Sequence, residues 1–284
     1  MSGRRFRIGL TQWHVTRDRE QNLDQACSLI RACGKDRADL VLLPENALFL
    51  GSNAEMRDAS LPLEAPAFGR IAELAQEIGA PVLIGGVKRR DEAGTIWNSA
   101  VLCDRKGGIT SIYDKIHLFD ATIGGQRFQA SQVESAGATP VVLDHAGATL
   151  GISICYDVRF PELYRKLTFA GAEILLVPAA FTRTTGAAHW EILLRARAIE
   201  NSSFVVASAT VSSHQGVADG FETYGHAMAI DPWGRVLADL GEEAPSSTVI
   251  ELDLSLLADI RTRLPSLSHV RPDAYAAEIV RHTL

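Results

Sequence analysis

The chain contains few cysteines, only Cys27, Cys33, Cys103 and Cys155 among 284 residues. That number and scatter exclude a disulfide framework, so reduced thiols are expected. None forms a CxxC pair, and the eight histidines show no HExxH spacing, so neither a metal site nor a cofactor is expected. No segment approaches the ~18 consecutive apolar residues that would span a bilayer. The formal charge of −6 is not gathered into a run of one sign, which argues against nucleic acid or an anionic membrane as principal partner. Met1-Ser2-Gly3-Arg4-Arg5 is basic, as a secretory leader would be, but Arg7, Thr11 and Gln12 interrupt the apolar stretch that follows. It reads as a solvated end leading into a strand of a cytoplasmic protein that acts on small molecules.

Linkers and low-complexity stretches are also missing, and 46% hydrophobic residues can fill a sizeable core. One domain over residues 1–265 is expected, with a C-terminal tail at 266–284. Short apolar runs alternate with amphipathic ones: a strand at Arg7–Leu10, a helix through Leu23, Ala26, Cys27 and Ile30 ending near Gly34, and a buried strand at Asp39–Leu43. A helix carrying Phe68, Ile71, Leu74 and Ile78 ends at Gly79, and Pro81–Gly85 is the next strand. Asn98–Leu102 and Ile109–Tyr113 flank a turn at Asp104–Gly108, which predicts a hairpin and a mixed sheet. Residues 120–139 read as a long loop. The strand Thr149–Ile154 leads into Cys155, and Pro161 suits the first turn of the following helix. Glu173–Val177 is a further strand, and a long helix opens at His189-Trp190-Glu191 and runs through Ala198. Helices on one face of a sheet leave the other face to be covered, and a second sheet gives a four-layer α-β-β-α sandwich. A doubly wound single sheet remains the alternative on periodicity alone.

Glu45, Lys115 and Cys155 each lie just beyond a strand-like run. Carboxyl ends of strands are where α/β sheets gather their sites, so the three can meet in one crevice. A thiol is a good nucleophile once a base takes its proton, and Glu45 suits that role if the pocket raises its pKa toward working pH. Lys115 can stabilise the negative charge that develops on a carbonyl oxygen and would lower the pKa of Cys155. Each residue alone has an ordinary structural explanation, and only the combination points to chemistry. Trp97, Trp190 and Trp233 are expected in the core or an interface, with Trp190 also able to shape the pocket. Arg195 and Arg197 are expected to pair with Glu191 and Glu200, and His117 to pack or bond locally.

The sequence resembles the nitrilase superfamily of carbon–nitrogen hydrolases, within it the Nit branch, from about Arg7 to Leu254. The likeness rests on Leu42-Leu43-Pro44-Glu45-Asn46, on Tyr113-Asp114-Lys115-Ile116-His117-Leu118-Phe119-Asp120, and on the stretch from Gly151 through Cys155-Tyr156-Asp157-Val158-Arg159-Phe160 to Leu163. Blocks at Thr185–Ala198 and Tyr224–Arg235 agree with it. The resemblance implies the α-β-β-α sandwich, a cofactor-free site of Glu45, Lys115 and Cys155, and a homodimer or larger assembly. One departure stands out: where many Nit-like proteins carry a second glutamate, this chain has Ala130 within Arg127-Phe128-Gln129-Ala130-Ser131, and Glu134 is the candidate to supply the carboxylate.

The expected function is amide hydrolysis through a thioester, on small carboxylic or 2-oxo acid amides, including omega-amidase and deaminated-glutathione amidase substrates. Arg159 and Arg183 are candidates to receive a substrate carboxylate. Nitrile hydrolysis and cleavage of N-carbamoyl amines are the rival reactions. A catalytically weak binding or regulatory protein is the rival from another class.

Overall fold

The computed structural model describes residues 3–212 and 222–283. The first two residues of the basic start and the last residue of the expected tail lie outside them. The elements run β1 (Arg5–Trp13), α1 (Arg19–Lys35), β2 (Leu40–Leu43), α2 (Asn53–Asp58), α3 (Pro66–Ile78), β3 (Val82–Arg90), β4 (Ile96–Cys103) and β5 (Ile109–Asp114). After a small hairpin, β6 (Asp120–Ile123) and β7 (Gln126–Gln129), come β8 (Val141–His145), β9 (Ala148–Ile152), α4 (Pro161–Phe169), β10 (Ile174–Leu176), α5 (Arg183–Asn201), β11 (Phe204–Ala207) and β12 (Ala209–Thr210). The chain ends with β13 (Met228–Ile230), β14 (Val236–Asp239), β15 (Ser246–Asp253), α6 (Ser255–Arg263) and α7 (Pro272–Tyr275).

Apart from the β6–β7 hairpin, the strands form two mixed sheets. The first has the order β12-β1-β2-β3-β4-β5, with β15 antiparallel to β1, and the second the order β14-β13-β11-β10-β9-β8. The four-residue β2 shows why two sheets are needed. Side chains alternate across a strand, and Leu40 and Leu42 join Phe6, Ile8 and Leu10 against Leu150, Ile152 and Leu176 of the second sheet. Val41 and Leu43 point the other way, against Leu23, Ile30, Phe68 and Ile71 of α1 and α3. Both faces are therefore dry, which is why β2 reads as an unbroken apolar run rather than an alternating one. On the far side α4 and α5 cover the second sheet with Tyr164, Leu167, Trp190 and Leu194. The result is the α-β-β-α sandwich.

Several boundaries differ from expectation. Residues 120–139 are not one loop, because β6 pairs with β7 through the Gly124-Gly125 turn. Helix α5 starts six residues before His189, at Arg183. Trp233 is 56% exposed, because the turn it occupies caps β13–β14 on the surface, so it is not a core residue. The expected pairs Arg195–Glu191 and Arg197–Glu200 form, at 3.0 and 2.7 Å. Among the described residues no helix is long and apolar enough to cross a membrane.

Two glycines test the helix packing. A Cβ on Gly34, in the last turn of α1, would lie 2.4 Å from Cγ2 of Ile78 on α3, whereas one on Gly69 of α3 would meet nothing within 4 Å. Gly34→Ala is expected to destabilise the fold by about 1–3 kcal/mol through overpacking. Gly69→Ala is expected to stabilise it by about 0.5–1 kcal/mol through reduced backbone entropy. Denaturant unfolding of the two variants measures both signs.

Candidate functional site

Three of the sequence-predicted residues converge where the two sheets meet. Glu45 follows β2, Lys115 follows β5, and Cys155 begins a 3-10 turn (Cys155–Arg159) after β9. Glu45, Lys115 and Cys155 are 3%, 3% and 8% exposed, and all three line one cavity of about 430 Å³. Oε1 of Glu45 accepts hydrogen bonds from Nζ of Lys115 and Nδ2 of Asn98, both at 2.8 Å, and Oε2 accepts from the Ala180 N–H at 2.9 Å. The Cys155 thiol lines the same cavity, and its charge state is coupled to that of the carboxylate.

The backbone is bent to achieve this. Asn46 and Cys155 have φ of +56° and +48°, a left-handed conformation that costs free energy in residues other than glycine and persists only where surrounding bonds impose it. The Cys155 N–H is held by the Pro178 carbonyl at 2.9 Å and the Asn46 N–H by that of Gly86 at 2.6 Å. Gly86, at φ +148°, sits in an irregularity of β3, where a Cβ would come within 3.1 Å of Glu45 Cγ. A side chain there would push the carboxylate out of place. Asn98 on β4 holds two partners together, donating to Glu45 through its side chain and accepting the Lys115 N–H on its carbonyl, at 2.8 Å each.

The electrostatics correct two sequence-based expectations. Burial alone would raise the Glu45 pKa, but the charges of Lys115 and Lys88, with the hydrogen bonds, hold it down to about 2. The pocket therefore does not raise this carboxylate toward neutral pH, because a buried carboxylate beside two ammonium groups is stabilised in its charged form. Burial and then the adjacent Glu45 charge push the Cys155 thiol up, and Lys115 offsets this only in part. Lys115 would be lowered by burial, but Glu45 and Cys155 raise it, so it stays an ammonium. The resting site is a carboxylate, an ammonium and a neutral thiol.

Glu134, 5% exposed, lines the same cavity and forms a buried ion pair with Lys88 of β3. Its N–H bonds the Ala130 carbonyl at 3.0 Å. A helical turn thus joins the two positions, and side chains four apart on such a turn share a face. The four-residue offset between Ala130 and Glu134 is one turn in space.

The remaining candidates separate. Arg159 is half-buried and lines a recess of about 20 Å³ beside Cys155, with its guanidinium 5.1 Å from the Phe181 ring centre and 5.9 Å from that of Tyr156. It has no carboxylate partner among the described residues; its nearest polar neighbour is Nδ1 of His189 at 3.3 Å. Arg183 is instead occupied by Glu222 at 3.1 Å and Glu242 at 2.9 Å. Trp190 is fully buried behind Phe181 and donates from Nε1 to the His226 carbonyl at 2.9 Å, so it does not line the cavity. The indole supports the wall rather than forming it. Sequence reasoning missed Asn98, Lys88 and the Ala180 N–H. Asn98 and Lys88 sit within strands, where nothing in the pattern separates them from ordinary polar strand residues. A larger open groove of about 750 Å³ between α1 and α3 is lined by surface charges such as Arg31, Glu77 and Arg70, and it lacks a nucleophile paired with a base. No group of three His, Cys, Asp or Glu among the described residues is placed to hold a metal ion.

Comparison with known proteins identifies the family. The carbon-nitrogen hydrolase family matches residues 7–262. The chain is 41% identical over 254 residues to the deaminated glutathione amidase of Synechocystis sp., covering 88% of this chain and 92% of that protein. It superposes on the NitFhit protein of Caenorhabditis elegans with a TM-score of 0.88 at 37% identity, over 97% of this chain and 67% of that one. For Nit3 of Saccharomyces cerevisiae, a member of branch 10 of the nitrilase superfamily, the TM-score is 0.82 at 26% identity, over 92% and 95% of the two chains. The chain belongs to the carbon-nitrogen hydrolase family, in the Nit-like branch of the nitrilase superfamily.

Proposed function

We propose that this enzyme is an amidase in which Cys155 forms a thioester with the acyl group of a small carboxylic or 2-oxo acid amide. The observation that carries the reading is the buried Glu45–Lys115 pair in one cavity with the Cys155 thiol. Sγ attacks the amide carbonyl while Glu45 accepts the thiol proton, and the Lys115 ammonium stabilises the oxyanion. Glu45 then returns the proton to the departing nitrogen, and ammonia or an amine leaves. In the second half Glu45 takes a proton from water, the hydroxide attacks the thioester, and the acid and the neutral thiol are released. Because Glu45 is a weak base and Cys155 a weak acid at rest, the proton moves as the carbon–sulfur bond forms, not before it.

Glu134 takes the place of the carboxylate missing at Ala130, supported by the helical turn between them and by its effect in raising the pKa of Lys115. Arg159 receives a substrate carboxylate, supported by its position beside Cys155 and its lack of an acidic partner among the described residues. This favours amides that carry a carboxylate, in line with the similarity to a protein named deaminated glutathione amidase. We assign the protein to the reducing cytoplasm on its four free thiols. We assign it to a homodimer or larger assembly on the exposed apolar side chains Ile192 and Ile199, one face of α5, beside the equally exposed Trp233.

Release of ammonia or amine from a panel of amides, nitriles and N-carbamoyl compounds tests the reaction. Turnover of amides is expected, abolished in a folded Cys155→Ala variant; hydrolysis of nitriles alone would overturn the amidase reading. In Glu45→Gln, removal of the neighbouring negative charge should lower the thiol pKa. Iodoacetamide is therefore expected to label Cys155 faster at neutral pH, while turnover falls by at least about 100-fold. Unchanged or slower labelling would contradict the dominance of the Glu45 charge in setting the reactivity of the thiol. Arg159→Met is expected to raise KM by about 10- to 150-fold for amides that carry a carboxylate, the size of one lost charged hydrogen bond, and to leave neutral amides unchanged. Equal effects on both classes would remove Arg159 from substrate recognition.

A further inference from the structure

We propose that Asp157 is a positioning residue that fixes the distance between Cys155 and Lys115, an inference that rests on the roles proposed above for those two residues. Asp157 is fully buried yet does not line the cavity. Its two carboxylate oxygens take four donors from the two segments that carry the reacting groups. Oδ2 accepts from the Tyr113 hydroxyl at 2.7 Å and the Ile154 N–H at 2.9 Å; Oδ1 accepts from the His117 N–H at 3.1 Å and its ring Nδ1 at 2.8 Å.

The placement of these donors is what gives the contact its role. Tyr113 and His117 stand two residues before and two after Lys115, so the lysine segment is gripped on both sides. Ile154 immediately precedes Cys155, and its bond to Asp157 closes the turn in which Cys155 holds its left-handed φ of +48°. A second contact reinforces the first: the His117 ring stacks on Phe160 at 3.6 Å between centres, and the Phe160 N–H bonds the Asp157 carbonyl at 3.0 Å. The Tyr113 hydroxyl in turn accepts the Ile116 N–H at 3.3 Å. One side chain therefore ties the nucleophile turn to the cation segment across 40 residues of sequence.

The chemistry requires a carboxylate. Only an ionised carboxyl group can accept at both oxygens, whereas asparagine would present an NH2 group to at least one of these donors. The fold is already held by two sheets and their cores, so the effect of losing this contact falls on reacting-atom geometry, where a displacement of ~1 Å costs about 100-fold in rate.

The test uses the full chain and the amide it turns over fastest, with kcat expressed per Cys155 thiol titrated by iodoacetamide and peptide mass spectrometry. Asp157→Asn is expected to lower kcat by about 100-fold with KM changed less than about threefold. Tyr113→Phe and His117→Phe, which keep the ring packing and the carboxylate, are expected to lower kcat by smaller factors without loss of titratable thiol. They keep the idea testable if Asp157→Asn does not fold. A purely structural role would reduce the amount of folded protein but leave kcat per titrated thiol unchanged; unchanged values in all folded variants would overturn the proposal. Cys155→Ala, run alongside, separates the two claims. Retained turnover in it refutes the proposed function, whereas loss of turnover there with normal kcat in the other variants refutes only the role of Asp157.

Discussion

An ammonium and a carboxylate, Lys115 and Glu45, are buried together at 2.8 Å with a thiol beside them, and much of the structure around the cavity can be understood as what that arrangement requires. Removing two charges from water costs several kcal/mol each, and their mutual attraction offsets this only when the remaining hydrogen-bond capacity is satisfied. Asn98 and the Ala180 N–H satisfy Glu45. A second pair, Lys88 with Glu134, lies in the same cavity, whose lining also includes the cationic Arg127. The pair is therefore not a stability device. In the proposed mechanism it is a preorganised electrostatic environment that the rest of the fold maintains for the charge that develops on a substrate oxygen.

The sandwich explains how such a site can be built from residues far apart in sequence. Glu45 and Lys115 come from ends of the first sheet, and Cys155 and Ala180 from segments that continue strands of the second. The dry interface between the sheets, from Leu42 on one side to Ile152 on the other, sets the depth at which the groups meet. Local strain at Asn46 and Cys155 and the space left by Gly86 then set their direction. Long-range packing fixes the position of the chemistry, and a few backbone irregularities aim it.

Much of this was legible in the sequence where periodicity and local chemistry agree. The run at Leu40–Leu43, the stop at Gly79 and the Pro161 helix start are signals carried by a few adjacent residues, and the three site residues stand at strand ends. Other features lacked such a signal. The first turn of α5, Thr184-Thr185-Gly186-Ala187-Ala188, has no large apolar residue, because Gly186 packs under the Tyr224 ring, where a Cβ would be 2.3 Å from Cγ. The strands β6 and β7 are four residues each and, among the described residues, pair only with one another, so they carry no core pattern. Asn98 and Lys88 read as ordinary strand residues because their roles arise across the sheet. The direction of the Glu45 pKa depends on a count of cations around one carboxylate, which strand ends do not reveal. The one-turn relation between Ala130 and Glu134 rests on a backbone hydrogen bond that the sequence does not reveal.

The account stands most directly on the claim that Cys155 carries the acyl group between the two halves of the reaction. Quenching the enzyme in acid during steady-state amide turnover and measuring the mass of the protein and its peptides tests it. A mass increase equal to the acyl group of the substrate, less one hydrogen, on the peptide containing Cys155 is the predicted result. An unmodified Cys155 during turnover slow enough in its second half to accumulate an intermediate, or acylation at another residue, would contradict it.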